Sequence, residues 1–256
     1  MRSSLDPYLE GESSLHRRDP RAKLLATLVL VLALVLVPTG NWLAFGLFAL
    51  MIAVMAVMAR VPLQHFWRRV LIVLPFVLPA VVFLPFLHGG DVLWQVQIGS
   101  WHLTVGQAGL VLAGSMVLKA LLSALALGLL VTTTRMADLL VGLDKLGAPR
   151  IMTTLFGVMY RYLFILEGEA LRLKDGRDAR YCGGLAVGLN SVGHMTGSLF
   201  LRSYDRAERV YGAMLLRGYD GIGRSLNQLR VNRADILMVG VVAVTVASIS
   251  IAARWL

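Results

Sequence analysis

Residues 24–59 read LLATLVLVLALVLVPTGNWLAFGLFALMIAVMAVMA, 36 positions without one charged side chain. A single helix of that length would run about 54 Å at 1.5 Å per residue, against a hydrocarbon core of about 30 Å. Pro38-Thr39-Gly40-Asn41 falls near the middle and predicts a break, so the stretch reads as two spans joined by a tight outer turn. The totals agree. Of 256 residues 57% are hydrophobic and only 16% charged, and the mean hydropathy is +0.70. That balance excludes an ordinary soluble domain.

Working outward, residues 1–23 are polar and end in His16-Arg17-Arg18-Asp19-Pro20-Arg21-Ala22-Lys23. They lack the apolar core of a cleaved leader and read as a cytoplasmic lead-in with Arg21 and Lys23 at headgroup level. Residues 60–69 form a basic loop, followed by a span at 70–87 whose Pro75, Pro79 and Pro85 predict a kinked or irregular helix. Residues 88–104 alternate in character and resemble a small interfacial β-hairpin, with Trp94 and Trp101 in the aromatic belt. Further spans follow at 105–131, which contains Lys119, and at 236–253.

The basic residues orient these spans. Five lie in the N-terminal segment, three in 60–69 and fifteen in 135–233, and the two outer loops hold none. Five spans with the N-terminus inside satisfy the positive-inside pattern, Arg254 alone falling at the outer end. The expected fold is therefore an all-α membrane protein of about five transmembrane helices, plus cytoplasmic amphipathic helices and a small outer hairpin. Its parts are a cytoplasmic segment (1–23), four spans (24–131), a cytoplasmic region (132–233) and a final span (234–256). The net charge of +10 points to anionic lipid beside the bilayer or an acidic protein partner rather than to nucleic acid.

The region 132–233 holds the candidate functional residues. A short amphipathic helix over 136–146 closes at Gly147-Ala148-Pro149. A long one then carries Leu155, Met159, Tyr162, Leu166, Ala170 and Leu173 at steps of three and four, and runs out near Ala179-Arg180-Tyr181. Residues 182–193 are Gly-rich and suit a turn or a close helix crossing. A second long helix aligns Phe200, Tyr204, Ala207, Tyr211 and Met214 as a packing seam, leaving Arg202, Asp205, Arg206 and Arg209 solvated. The two helices are expected to pack together, each ending in a short motif centred on an arginine. An alternative reading lets the apolar stretches near 151–166 and 184–201 dip into the bilayer, which Arg161 and Arg202 oppose.

With these motifs in place the chain resembles the transmembrane component of energy-coupling factor transporters, in its cobalt-type, CbiQ-like branch. The resemblance covers nearly the whole chain. It is carried by HRRDPRAKL at 16–24, by Thr132-Thr133-Thr134 with Asp138-Leu139 and Gly147-Ala148-Pro149, by Tyr160-Arg161-Tyr162-Leu163 with Glu169, and most specifically by RAERVYGAMLLRGYDG at 206–221. It implies a multi-pass subunit of a bacterial or archaeal cytoplasmic membrane, working with two ABC-type ATPase subunits and a separate substrate-binding membrane subunit. It further implies that Arg180 and Arg217, with Ala179 and Gly218 beside them, are the arginines presented to the ATPases. The first motif departs from the usual Ala-Arg-Gly because Tyr181 stands in the glycine's place, and Arg177 is the neighbouring alternative. Cobalt is the implied substrate, with another metal such as nickel, or a vitamin, as the alternative.

Other features are read more plainly. Lys119 lies inside a span, where a charge is costly, and its long stem suits snorkelling or a structural contact. His88, Asp91 and His102 share the outer segment, but their spacing fits no metal motif. Met51, Met55 and Met58 form a stripe better suited to packing than to soft-metal ligation. Cys182 is the one cysteine, so neither an internal disulfide nor a cysteine cluster is possible. The chain has no Gly-Lys-Ser/Thr phosphate loop and no recognisable nucleophile and base. No catalytic residue, metal or cofactor is expected of it. A self-contained ion carrier and a membrane-embedded enzyme are the rival classes.

Overall fold

The computed structural model of the protein describes residues 13, 18–60, 62–87, 92–98, 101–180, 185–221 and 233–255. The uncharged stretch is indeed two helices. α1 (Pro20–Leu36) starts because Asp19 accepts a hydrogen bond from the Arg21 amide at 2.9 Å while Pro20 takes the first position, which needs no N–H. It stops where Val37, preceding Pro38, turns extended. α2 (Trp42–Met58) starts at Asn41, whose side chain accepts from the Ala44 amide at 3.2 Å.

α3 (Leu63–Leu87) corrects one expectation. It begins directly after Pro62, so Arg68 and Arg69 belong to the helix rather than to a loop, and it is helical throughout Pro75, Pro79 and Pro85. Prolines are tolerated this way in apolar helices whose freed carbonyls find local substitutes. β1 (Val92–Ile98) and β2 (Trp101–Gly106) then form an antiparallel hairpin with Ile98 opposite Trp101 and an irregularity between Val92 and Trp94. α4 (Gln107–Thr133), α5 (Met136–Lys145), α6 (Arg150–Asp178), α7 (Leu185–Leu216) and α8 (Arg233–Trp255) complete the chain. α7 begins earlier than the Gly-rich reading allowed. Past Gly184 that stretch is mostly Leu, Ala and Val, so Gly188 and Gly193 are absorbed into a 32-residue helix.

The described residues fall into two compact units. One is built of α1–α4, the hairpin, most of α5, and α8. Its core runs through Leu30 and Leu34 of α1, Phe45 and Phe48 of α2, Leu122 and Leu129 of α4, and Val242 of α8. The outward faces are equally apolar: Leu28, Leu32, Leu50, Phe76 and Val244 are all exposed. Exposed apolar surface of that extent needs a partner or a bilayer. Among the described residues, Gln107–Thr133 and Ala234–Ala252 are long and apolar enough to cross a membrane, and Trp42–Met58 and Arg69–Leu84 are shorter apolar helices. The other unit comprises α6, α7 and the last turn of α5. No α6 residue is buried.

Candidate functional site

Both arginine motifs sit at helix ends. At the end of α6, Ala179 keeps helical angles and its amide reaches the carbonyls of Asp175 and Arg177. The Arg180 amide donates to the Arg177 carbonyl at 2.9 Å, which leaves the Arg180 side chain projecting from the tip, exposed. Arg177 differs. Its Nε and Nη2 both donate to Asp178 Oδ1, at 3.0 and 2.7 Å, so its fork is already occupied.

α7 ends in a tighter device. The Tyr219 amide donates to the Met214 carbonyl and the Gly218 amide to the Leu215 carbonyl, both at 3.0 Å. This crossed pair is the Schellman arrangement. It requires a left-handed residue just after the cap, and Gly218, at φ +79°, fills that position without a Cβ penalty. The cap residue itself is Arg217. Its side chain is exposed beside Leu216, which is 91% exposed. Among the described residues neither Arg180 nor Arg217 enters an ion pair. Two cations standing at helix C-termini suit the sign of the helix dipole and remain available to an anionic partner.

Between α6 and α7 lies an apolar groove of about 440 Å³. Leu155, Met159, Tyr162 and Leu166 wall it on the α6 side, four of the six stripe positions, and Ala207, Tyr211 and Met214 wall it on the other. Phe200 and Tyr204, which the spacing put on the same seam, are not in its walls and stand 67% and 57% exposed. A three-four repeat averages 3.5 residues and drifts about 20° per heptad from a straight helix.

At one end of this groove sits Glu169, whose side chain is 17% exposed. Arg172 donates to its Oε2 at 3.2 Å and Arg202 of α7 to its Oε1 at 3.0 Å, while Arg206 approaches to 3.7 Å. Arg202 and Arg206 remain open to solvent, 58% and 42% exposed, and also share this carboxylate. The hydrogen bonds from Arg202 and Arg172 hold the Glu169 carboxyl below its ordinary value of 4.5. A depressed carboxylate contributes fully above that value and loses its contribution as pH falls through the lower one. Amide hydrogen exchange around 166–172 and 199–206 is therefore expected to stay flat from about pH 7 to pH 5, after allowing for the intrinsic rate, and to quicken in stronger acid.

A second polar cluster, which the spacing of motifs did not reveal, lies in the other unit. Lys23 is only 5% exposed. Its Nζ donates to the Thr133 carbonyl at 2.9 Å and meets Thr134 Oγ1 at 3.2 Å. Asp19, Asp138 and Asp235 surround it closely enough to act on its charge, and Arg18 pairs with the buried Asp235 at 3.6 Å. Residues 18–23 and the Thr-Thr-Thr motif thus meet in one polar cluster, to which Asp235 of α8 contributes. Lys119 plays the mirror role. From α4 its Nζ donates to the Val35 carbonyl, in the last turn of α1, at 2.9 Å. Each of two antiparallel helices therefore sends a lysine to the carbonyl end of the other. Sequence alone offered one clue, a lysine directly before an uncharged run.

The remaining candidates separate. Met51 and Met55 pack against the core while Met58 is exposed. His88 and Asp91 lie outside the described residues, and so do Cys182 and Tyr181. Among the described residues no group of three or more His, Cys, Asp or Glu side chains could hold a metal ion.

Comparison with known proteins adds a family. The sequence model described as CbiQ, cobalt transport protein, matches residues 11–229. The energy-coupling factor transporter transmembrane protein EcfT of Ruminiclostridium cellulolyticum is 27% identical, over 94% of this chain and 93% of its own length. The protein of the same name from Thermanaerovibrio acidaminovorans is 29% identical, over 96% and 94%. The cobalt transport protein CbiQ of Rhodobacter capsulatus is 32% identical, over 66% of each chain.

Proposed function

We propose that this chain, which belongs to the CbiQ family of cobalt transport proteins, couples ATP hydrolysis by two partner ABC-type ATPases to uptake through a partner substrate-binding membrane subunit. That it is the transmembrane component of an energy-coupling factor transporter follows from the family and from the EcfT relatives matched along nearly their whole length. The observation that carries the finer reading is the pair of helix tips. Arg180 and Arg217 end two long helices of one unit, exposed, on backbone stops that keep the guanidinium outside. A guanidinium presents a planar fork that matches a carboxylate, and a rigid helix behind it can carry a displacement. The occupied fork of Arg177 favours Arg180 as the first contact. Hydrolysis by partners is the reading that fits a sequence with no Gly-Lys-Ser/Thr phosphate loop.

In this reading five spans set the N-terminus and α6–α7 on the cytoplasmic side, where the basic residues concentrate. Cobalt is the substrate proposed from the family. A second reading is that the same role serves another metal or a vitamin, favoured because relatives matched along more than nine-tenths of both chains carry the general EcfT name. Purification of the tagged chain from its own membranes in mild detergent tests both. A pair of ATPases and one small membrane subunit are expected to come with it, and the identity of that subunit separates the substrates. If the chain alone carried metal ions into liposomes, the coupling reading would be wrong.

A further inference from the structure

We propose that Glu169 is a positioning residue for coupling: its carboxylate pins α6 to α7 at one point, about which the two arginine tips turn. The inference rests on the reading of those tips as ATPase contacts, and the geometry behind it is independent of them. Two arginines of α7, one turn apart, converge on this one carboxylate at 3.0 and 3.7 Å, with Arg172 closing from its own helix. Several charges in one network constrain more than an isolated surface pair does.

The position of the pin matters as much as its strength. On α6 the groove walls lie before Glu169, between 151 and 166; on α7 they lie after Arg202, between 203 and 219. The two helices therefore run antiparallel along the groove, and the tips stand on opposite sides of the pin. Arg180 is eleven residues beyond Glu169, and Arg217 is eleven residues beyond Arg206 and fifteen beyond Arg202, so the α7 arm is the longer when taken from the hydrogen-bonded arginine. At 1.5 Å per residue the α6 arm is about 16 Å long and the α7 arm about 16 to 22 Å. The arm of α7 borders an open apolar groove, where side chains slide with little penalty, while the pin is directional and charged. A push at either tip is thereby converted into rotation about Glu169 rather than separation of the helices.

The test uses the complete transporter with its own ATPases, in a Cys182→Ala background. Spin labels go at Asp175→Cys and Ala213→Cys, both exposed and outside the pin. The distance between the labels is measured without nucleotide and after trapping with ATP and vanadate. A discrete shift is expected with Glu169 in place. With Glu169→Gln the ATPases are expected to remain bound and active while the shift collapses into a distribution at least twice as wide. Glu169→Asp, which keeps the charge, is expected to restore it. An unchanged shift in Glu169→Gln, no shift in the parent complex, failure of Glu169→Asp, or loss of the ATPases from Glu169→Gln would each overturn the pin. Arg217→Ala in the same complex reports on the underlying reading: if it retains the ATPases, the tips are not their contacts, whatever the labels show.

Discussion

Replacing Arg217 by alanine is expected to strip the ATPases from the purified chain while leaving the chain folded. The side chain is exposed and makes no ion pair among the described residues, and the helix end is held by backbone hydrogen bonds to Met214 and Leu215. Folding therefore has little to lose, and surface substitutions away from special features usually stay within about 0.5 kcal/mol. Association has much more at stake. Truncating one partner of a buried, hydrogen-bonded charge pair at an interface costs about 2–5 kcal/mol. At about 1.4 kcal/mol per tenfold, that is a loss of roughly thirtyfold to a few thousandfold in affinity. Arg217→Lys separates charge from shape: it keeps the cation and loses the fork, and its affinity is expected between the two. Arg177→Ala, whose guanidinium is already held by Asp178, is expected to change binding little. Retention of ATPase by immobilised chain, measured against protein concentration, gives all three. Undiminished binding by Arg217→Ala would remove this residue from the interface.

The second large effect lies at Lys23 and concerns stability. Its ammonium is buried, bonded to Thr133 and Thr134, and set among three aspartates. Lys23→Met keeps most of the volume and removes the charge, leaving the Thr133 carbonyl unsatisfied and the aspartates without their central cation. Leaving buried polar groups unpaired in this way costs about 1–3 kcal/mol each, and more for charged groups. For a chain of this size each kcal/mol moves the thermal midpoint by about 2–4 °C, so a fall on the order of 10 °C is expected in detergent. Lys119→Met removes a single bond to a carbonyl and is expected to cost about 1–3 kcal/mol. A Lys23→Met protein that melts like the parent would show that the cluster holds nothing together.

How far these features could be read from the sequence depended on how far apart their partners lie along the chain. The helix break at Pro38, the stop at Gly147-Ala148-Pro149 and the ends of α6 and α7 are local signals, and each coincides with a boundary in the structure within a few residues. The apolar stripe of α6 was equally legible, since four of its six members do line one groove. What failed was knowledge of what covers a face. Arg202 and Arg206 are open to solvent as expected, but the carboxylate they share, Glu169, lies 33 residues before Arg202 and could not be read from spacing. Nor does anything near Lys23 in sequence show that a carbonyl 110 residues later accepts its hydrogen bond.

That separation also bears on how the protein is made. When α1 leaves the ribosome, the acceptors of Lys23 have not been synthesised, and a bare ammonium does not enter hydrocarbon cheaply. Until α4 is made, the first turn of α1 lacks the partners that bury Lys23 in the folded protein. The arrival of α4 supplies Thr133 and Thr134 to Lys23, and Lys119 to the open end of α1. A chain halted before Thr133 is therefore expected to protect the first turn of α1 from hydrogen exchange less than the complete protein does.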